Sequence, residues 1–354
     1  MNKLILIGNG FDLAHRLKTS YDDFVTDHLT NAVTTFNRYR NYDGALIDLA
    51  GQAYKNGIGS VLPIESFINR FEQNAGLVRE KNNFFYEIIK LPNSLGWADV
   101  EYQYYKRLVK YYKQIIQSPQ SEHHVDTQVR RLNIEFESFK TEFLKYLDGI
   151  NQIVPHLKKD NLKIVQEIDS HFQKIKYRTE KDRAHLHILN FNYTSTLDLY
   201  LKSFPEDTSV NYIHGRLGDL ENPIVFGYGD EIDENFEKMA GLNKNHFLKY
   251  IKSYCYLKCS NYKKFDNFIQ TDFEVFIMGH SCGISDRVLL STIFDNPRCK
   301  NIEIMYHQKD QNEDDFFEKT QEISRHFKPE SKARMRTLIG EHEKVSIPLI
   351  KYVK

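Results

Sequence analysis

The most constraining feature of this chain is its opening, MNKLILIGNGFDLAHRLKTS. Leu4-Ile5-Leu6-Ile7 is apolar without alternation, the pattern of a strand buried on both faces of a parallel sheet. Gly8-Asn9-Gly10 breaks it at once, and Phe11-Asp12-Leu13-Ala14-His15 can open a helix. A strand that turns on glycines into a helix N-terminus presents backbone N–H groups and the positive end of the helix dipole to an anion. In nucleotide-binding α/β proteins that anion is a phosphate, held off the carboxyl ends of the strands. Leu13 stands where the third glycine of G-x-G-x-x-G would be, so an ordinary tight turn is the competing reading.

A chain of 354 residues can bury one large core or two ordinary ones. Lys+Arg and Asp+Glu are both 48, so no general affinity for nucleic acid is expected, and any basic patch must be local. Cys255, Cys259, Cys282 and Cys299 form no C-x-x-C pairs, which argues against a zinc module or a disulfide framework and for free thiols; no metal is expected. With no signal-like N-terminus and no apolar run of membrane length, a cytoplasmic protein without a membrane contact is expected.

Residues 20 to about 180 show almost no strand-like runs. Helices are expected over Ile64–Leu77, Trp97–Ile116 and Val129–Leu147, with the polar run Ser118–Asp126 as a loop. Trp97 and Glu101 share a helix face, read as a packing aromatic and a solvated acid. Beyond about residue 185 the pattern changes. Strands are expected at 185–191, 210–214, 223–227, 274–279 and 301–306, with a last short one within Val345–Val353. The opening strand can bury both faces only inside this sheet. The expected fold is therefore α/β, a Rossmann-like, mostly parallel sheet of residues 1–20 and 185–354, interrupted by a helical insertion over 21–184.

Polar residues gather at the carboxyl ends of these strands. Asn192 to Thr196 follow the first, His214-Gly215-Arg216 the second, Gly227 to Asp230 the third, and Gly279-His280-Ser281-Cys282-Gly283 with Asp286 the fourth. Each has a structural alternative: His214 as a turn residue, and Asn192, Ser281 and Asp286 as helix caps. Their shared edge, with Gly8-Asn9-Gly10, is where an open α/β sheet places its ligand.

LILIGNGFDLAHRLKTSYDDF, GWADVE at 96–101, LNFNYTSTLD at 189–198, IHG at 213–215 and FIMGHSCGISDRVLL at 276–290 together resemble the AbiH family of bacteriophage abortive infection proteins. Arg16 stands where the usual GNGFDLAHGLKT has glycine. More distantly, the order of motifs is similar to the SIR2-like superfamily: a glycine loop, T-T-N-Y-D, H-G, and G-H-S with an aspartate beyond.

That resemblance implies an antiphage effector that binds and hydrolyses NAD, with Asn192 and His214 as the catalytic pair. It implies nucleotide contacts from Gly8, Asn9, Gly10, Phe11, Asp12, Gly279, His280, Ser281 and Asp286. Thr194 replaces the aspartate of T-N-Y-D, and the zinc cysteines of the deacetylase branch are absent. The alternatives are a non-catalytic nucleotide sensor acting through a partner, and a nuclease-type effector. Candidate partners are a phage-derived trigger, a companion protein and a second copy of the chain.

Overall fold

The computed structural model describes residues 1–50, 78–91, 96–229 and 233–350. The expected helix at 64–77 and the polar end at Asp230 lie outside them. The chain forms two compact units. One comprises Met1–Lys18, Leu147–Ile232 and Ile251–Lys354, the other Thr19–Tyr146 and Asp233–Tyr250.

The first unit is built on a six-stranded, all-parallel sheet. Its strands are β1 (Asn2–Ile7), β5 (Leu186–Asn190), β6 (Ser209–Tyr212), β7 (Phe273–Met278), β8 (Cys299–Tyr306) and the two-residue β9 (Ile347–Pro348). They lie in the order β6-β5-β1-β7-β8-β9, with β1 between β5 and β7. Numbered within this sheet alone the order is 3-2-1-4-5-6, that of the doubly wound dinucleotide-binding fold.

The apolar run of β1 divides by parity between two cores. Leu4 and Leu6 join Leu189, Val275, Ile277, Ile302 and Ile304 against Leu289, Leu290 and Ile293 of the helix Arg287–Phe294. Ile5 and Ile7 join Ile188, Phe276 and Met278 against Val165, Ile168, Phe172 and Ile175 of the helix Leu162–Asp182. All four residues are fully buried. Each such side chain stabilises the sheet by about 1.5–3 kcal/mol relative to exposure. An ion network also ties the sheet to that helix. Lys3 reaches Glu274 at 2.5 Å and Asp182 at 2.7 Å, and Arg178 reaches Glu274 and Glu303, both at 2.7 Å.

The helix Leu162–Asp182 thus belongs to the α/β unit, and the boundary drawn from sequence at 184/185 falls too late. An amphipathic helix that covers a sheet has the same periodicity as one in a helical insertion, so spacing does not separate them. The expected strand at 223–227 is irregular chain instead. Pro223 has no N–H for a ladder, and Val225 N–H donates to the His214 carbonyl at 2.8 Å, folding the segment back over the end of β6.

The second unit holds the helices Tyr21–Tyr39, Asn83–Ile89 and Trp97–Gln117, and the helix Glu122–Asn151 as far as Tyr146. Ser20 opens the first with a reciprocal capping box to Asp23. Tyr104 stacks on Phe136 with centroids 4.2 Å apart, and its hydroxyl donates to Asn133 at 2.6 Å. Three features differ from the sequence reading. Glu122 to Asp126 are helical, because Val125 repeats to Val129 four residues on and both are fully buried. A three-stranded antiparallel sheet, β2 (Asn41–Asp43), β3 (Ile47–Ala50) and β4 (Val78–Glu80), was too short to register as a pattern. Glu101 is buried rather than solvated.

Candidate functional site

The loops after β1 and β7 meet at the point where the strand order reverses. Gly10 N–H donates to the Gly279 carbonyl at 2.8 Å, and Gly8 N–H to that of Met278 at 3.3 Å. There is no room for side chains here: a Cβ on Gly8 would lie 2.6 Å from His280 Cα. One on Gly279, whose φ is +71°, would lie 2.2 Å from Phe11 N. Phe11 N–H closes back on the Gly8 carbonyl at 2.8 Å. Three of the N–H groups expected to cradle a phosphate are therefore occupied by the protein's own carbonyls, which corrects the simple phosphate-loop reading of Gly8, Gly10 and Phe11. Phe11 is a core residue, fully buried against Phe172 and Tyr200.

Asp12 is 1% exposed. Its Oδ2 accepts from the Thr194 hydroxyl at 2.7 Å, while Oδ1 makes no hydrogen bond of good geometry, with Asn192 and Thr196 nearby. Burial raises its pKa to about 6, against the lowering effect of those neighbours. Asn192, 7% exposed, donates its amide to the Gly8 carbonyl at 3.1 Å, tying the end of β5 to the glycine loop. His15 is structural: its ring bridges the Phe11 carbonyl at 2.7 Å and the Tyr200 hydroxyl at 2.5 Å.

The densest cluster surrounds Asp286. Lys252 Nζ donates to Asp286 Oδ1 at 2.8 Å, His214 Nε2 lies 3.1 Å from the same oxygen, and His280 Nε2 is 3.9 Å from Oδ2. All four residues are buried, Lys252 at 1% exposure. Burial alone would raise Asp286, but Lys252, His214 and His280 outweigh it and hold the carboxyl far below the usual range. Asp286 does begin the helix Arg287–Phe294, yet its side chain makes no cap bond. The capping alternative therefore fails for this residue.

His214 is pushed below its ordinary pKa by burial, with Asp286 opposing and Lys252 reinforcing the shift. Its ring also bonds the Phe191 backbone, and Tyr256 OH lies 3.1 Å from Nε2. Nε2 faces two oxygens at 3.1 Å, the Asp286 carboxylate, to which a protonated Nε2 donates, and the Tyr256 hydroxyl. In His280, Nδ1 accepts from Cys282 N–H at 2.9 Å, and burial pushes the ring down to about 3, so it stays neutral. The Phe191 ring stands edge-on to both histidines, at 5.0 and 4.1 Å.

The structure thus joins His214, His280 and Asp286 directly. Asn192 and Asp12 form a second polar group connected to them through Gly8, whose Cα packs on His280. Asn9 and Gly10 are half-buried and Ser281 is exposed. Lys252 and Tyr256 were missed from sequence: each lies in a run of ordinary composition, and only its distant partner marks it. Among the described residues, no group of three or more His, Cys, Asp or Glu could hold a metal ion, and no helix is long and apolar enough to cross a membrane. All four cysteines are unpaired.

A family model described as "Bacteriophage abortive infection AbiH" matches residues 4–308. That span takes in the glycine loop, the Asn192 loop, His214 and Asp286. No curated protein matches the chain.

Proposed function

The chain belongs to the AbiH family of bacteriophage abortive infection proteins, and on that premise we propose that its α/β unit binds NAD and hydrolyses it to nicotinamide and ADP-ribose. A role in abortive infection comes with the family. The reaction is our reading of the site. The observation that carries it is the His214–Asp286–Lys252 cluster, buried at the carboxyl edge of a sheet with the dinucleotide-binding strand order.

In this reaction water attacks C1′ of the nicotinamide ribose as the C–N bond breaks. The bonding pair leaves with nicotinamide and neutralises its ring charge, while the water proton passes to a base. A neutral His214 can accept that proton, and the Asp286 carboxylate 3.1 Å from its Nε2 stabilises the imidazolium formed. Lys252 keeps Asp286 ionised for that role. In this reading Asn192 supplies an amide to orient the ribose hydroxyls or the water, and the exposed Ser281 is assigned to hydrogen-bond the adenosine side.

One observation favours a second reading, a nucleotide sensor without catalysis: Thr194 stands where the T-N-Y-D pattern has aspartate. Incubating the purified chain with NAD separates the two. Nicotinamide release supports the hydrolase. A melting temperature raised by NAD without release supports the sensor.

A further inference from the structure

A separate feature of the second unit points to another ligand. From Tyr102 to Gln117 the chain carries Lys106, Arg107, Lys110 and Lys113 and no acid, although charges over the whole protein balance. Arg107 is used internally, against Glu87 and the Asn83 carbonyl. The three lysines recur at i, i+4 and i+7 and therefore share one face of the helix Trp97–Gln117. All three are exposed. They line an open groove of about 550 Å³, shared with Gln114, Gln117 and, from a distant stretch of chain, Asp233 and Asn235.

Elsewhere on this protein helical lysines pair with acids one turn away, as in Lys140–Glu137, Lys145–Glu142 and Lys238–Glu234. Lys110 and Lys113 have no ion pair among the described residues, and Lys106 rests only on the Tyr102 ring, 4.5 Å from its centroid. Among the described residues that line the groove, the one carboxylate, Asp233, accepts from the Asn235 backbone and amide, both at 2.8 Å. The result is a row of unneutralised cations about 10 Å long, bordered by amide side chains that can both donate and accept.

We propose that this groove binds single-stranded nucleic acid, DNA or RNA, with phosphodiesters along the lysine row and base edges at Gln114 and Gln117. A repeating anion matches the row, and amides match bases better than they match the carboxylates of an acidic protein. The proposal is independent of NAD chemistry in the α/β unit.

The test is fluorescence anisotropy of the full chain with labelled single-stranded RNA and DNA over a range of salt. The Lys110→Gln/Lys113→Gln double variant serves as the probe, and its melting temperature checks the fold. Binding should weaken at least about tenfold, and the slope of log K against log salt should fall by about 1.4, two contacts at roughly 0.7 each. The DNA and RNA arms report which strand is preferred. No measurable binding by the wild type, equal binding by the variant, or equal competition from polyglutamate would each overturn the proposal.

Discussion

The Thr194 hydroxyl donates to Asp12 Oδ2 at 2.7 Å, joining the loop after β5 to the first helix. Thr194 is the residue that departs from T-N-Y-D. An aspartate there would set a second carboxylate against a buried one, so the departure fits this chain's own Asp12. Thr194→Val should cost about 1–3 kcal/mol by removing a donor from a buried acceptor, read from urea unfolding. A loss of only a few tenths would contradict the role.

Asp12 also sets a pH dependence. Its folded pKa, about 6, lies above the ordinary aspartate value of 3.8, so the folded state favours the protonated form. That contribution is complete below the unfolded pKa and is lost as pH rises from about 4 through 6, amounting to about 3 kcal/mol at most. Relative to the wild type, Asp12→Asn should therefore gain stability across that window. Parallel stability–pH curves for the two proteins would show that Asp12 is not shifted.

Arg16 has φ +63° and ends the first helix in the left-handed region, at the position where the family pattern has glycine. Arg16→Gly should relieve that strain and stabilise the protein by up to about 1 kcal/mol. Calorimetry would show it as a higher melting temperature. A lower one would mean that the Arg16 side chain contributes more than its backbone costs.

Lys252 and Asp286 form a buried pair, so removing one partner leaves the other charge uncompensated. Lys252→Met should destabilise by about 3–5 kcal/mol, and Lys252→Met/Asp286→Asn by clearly less than the sum of the single changes. Additive losses in the double-mutant cycle would argue against coupling.

What the sequence disclosed and what it hid follow from range. Leu4–Ile7 was readable because four apolar residues in succession put apolar side chains on both faces of a strand, and the same holds for Val275–Met278 in β7. His214 and Asp286 were found because each follows a strand end. Lys252 and Tyr256 were not, since their significance lies in partners tens of residues away. The glycine loop was read as open to an anion. That the Met278 and Gly279 carbonyls would take the Gly8 and Gly10 N–H groups depends on β7 lying beside β1, a pairing across some 270 residues that local pattern does not contain.

The central claim is that NAD is cleaved at the His214 cluster, and nicotinamide release tests it most directly. Wild type, His214→Ala and Asn192→Ala should be followed side by side, with melting temperatures confirming that each is folded. The account predicts release by the wild type and a loss of about a hundredfold or more in both variants. Release that survives both substitutions would contradict the assignment of the site. A wild type that neither releases nicotinamide nor is stabilised by NAD would contradict the reaction itself.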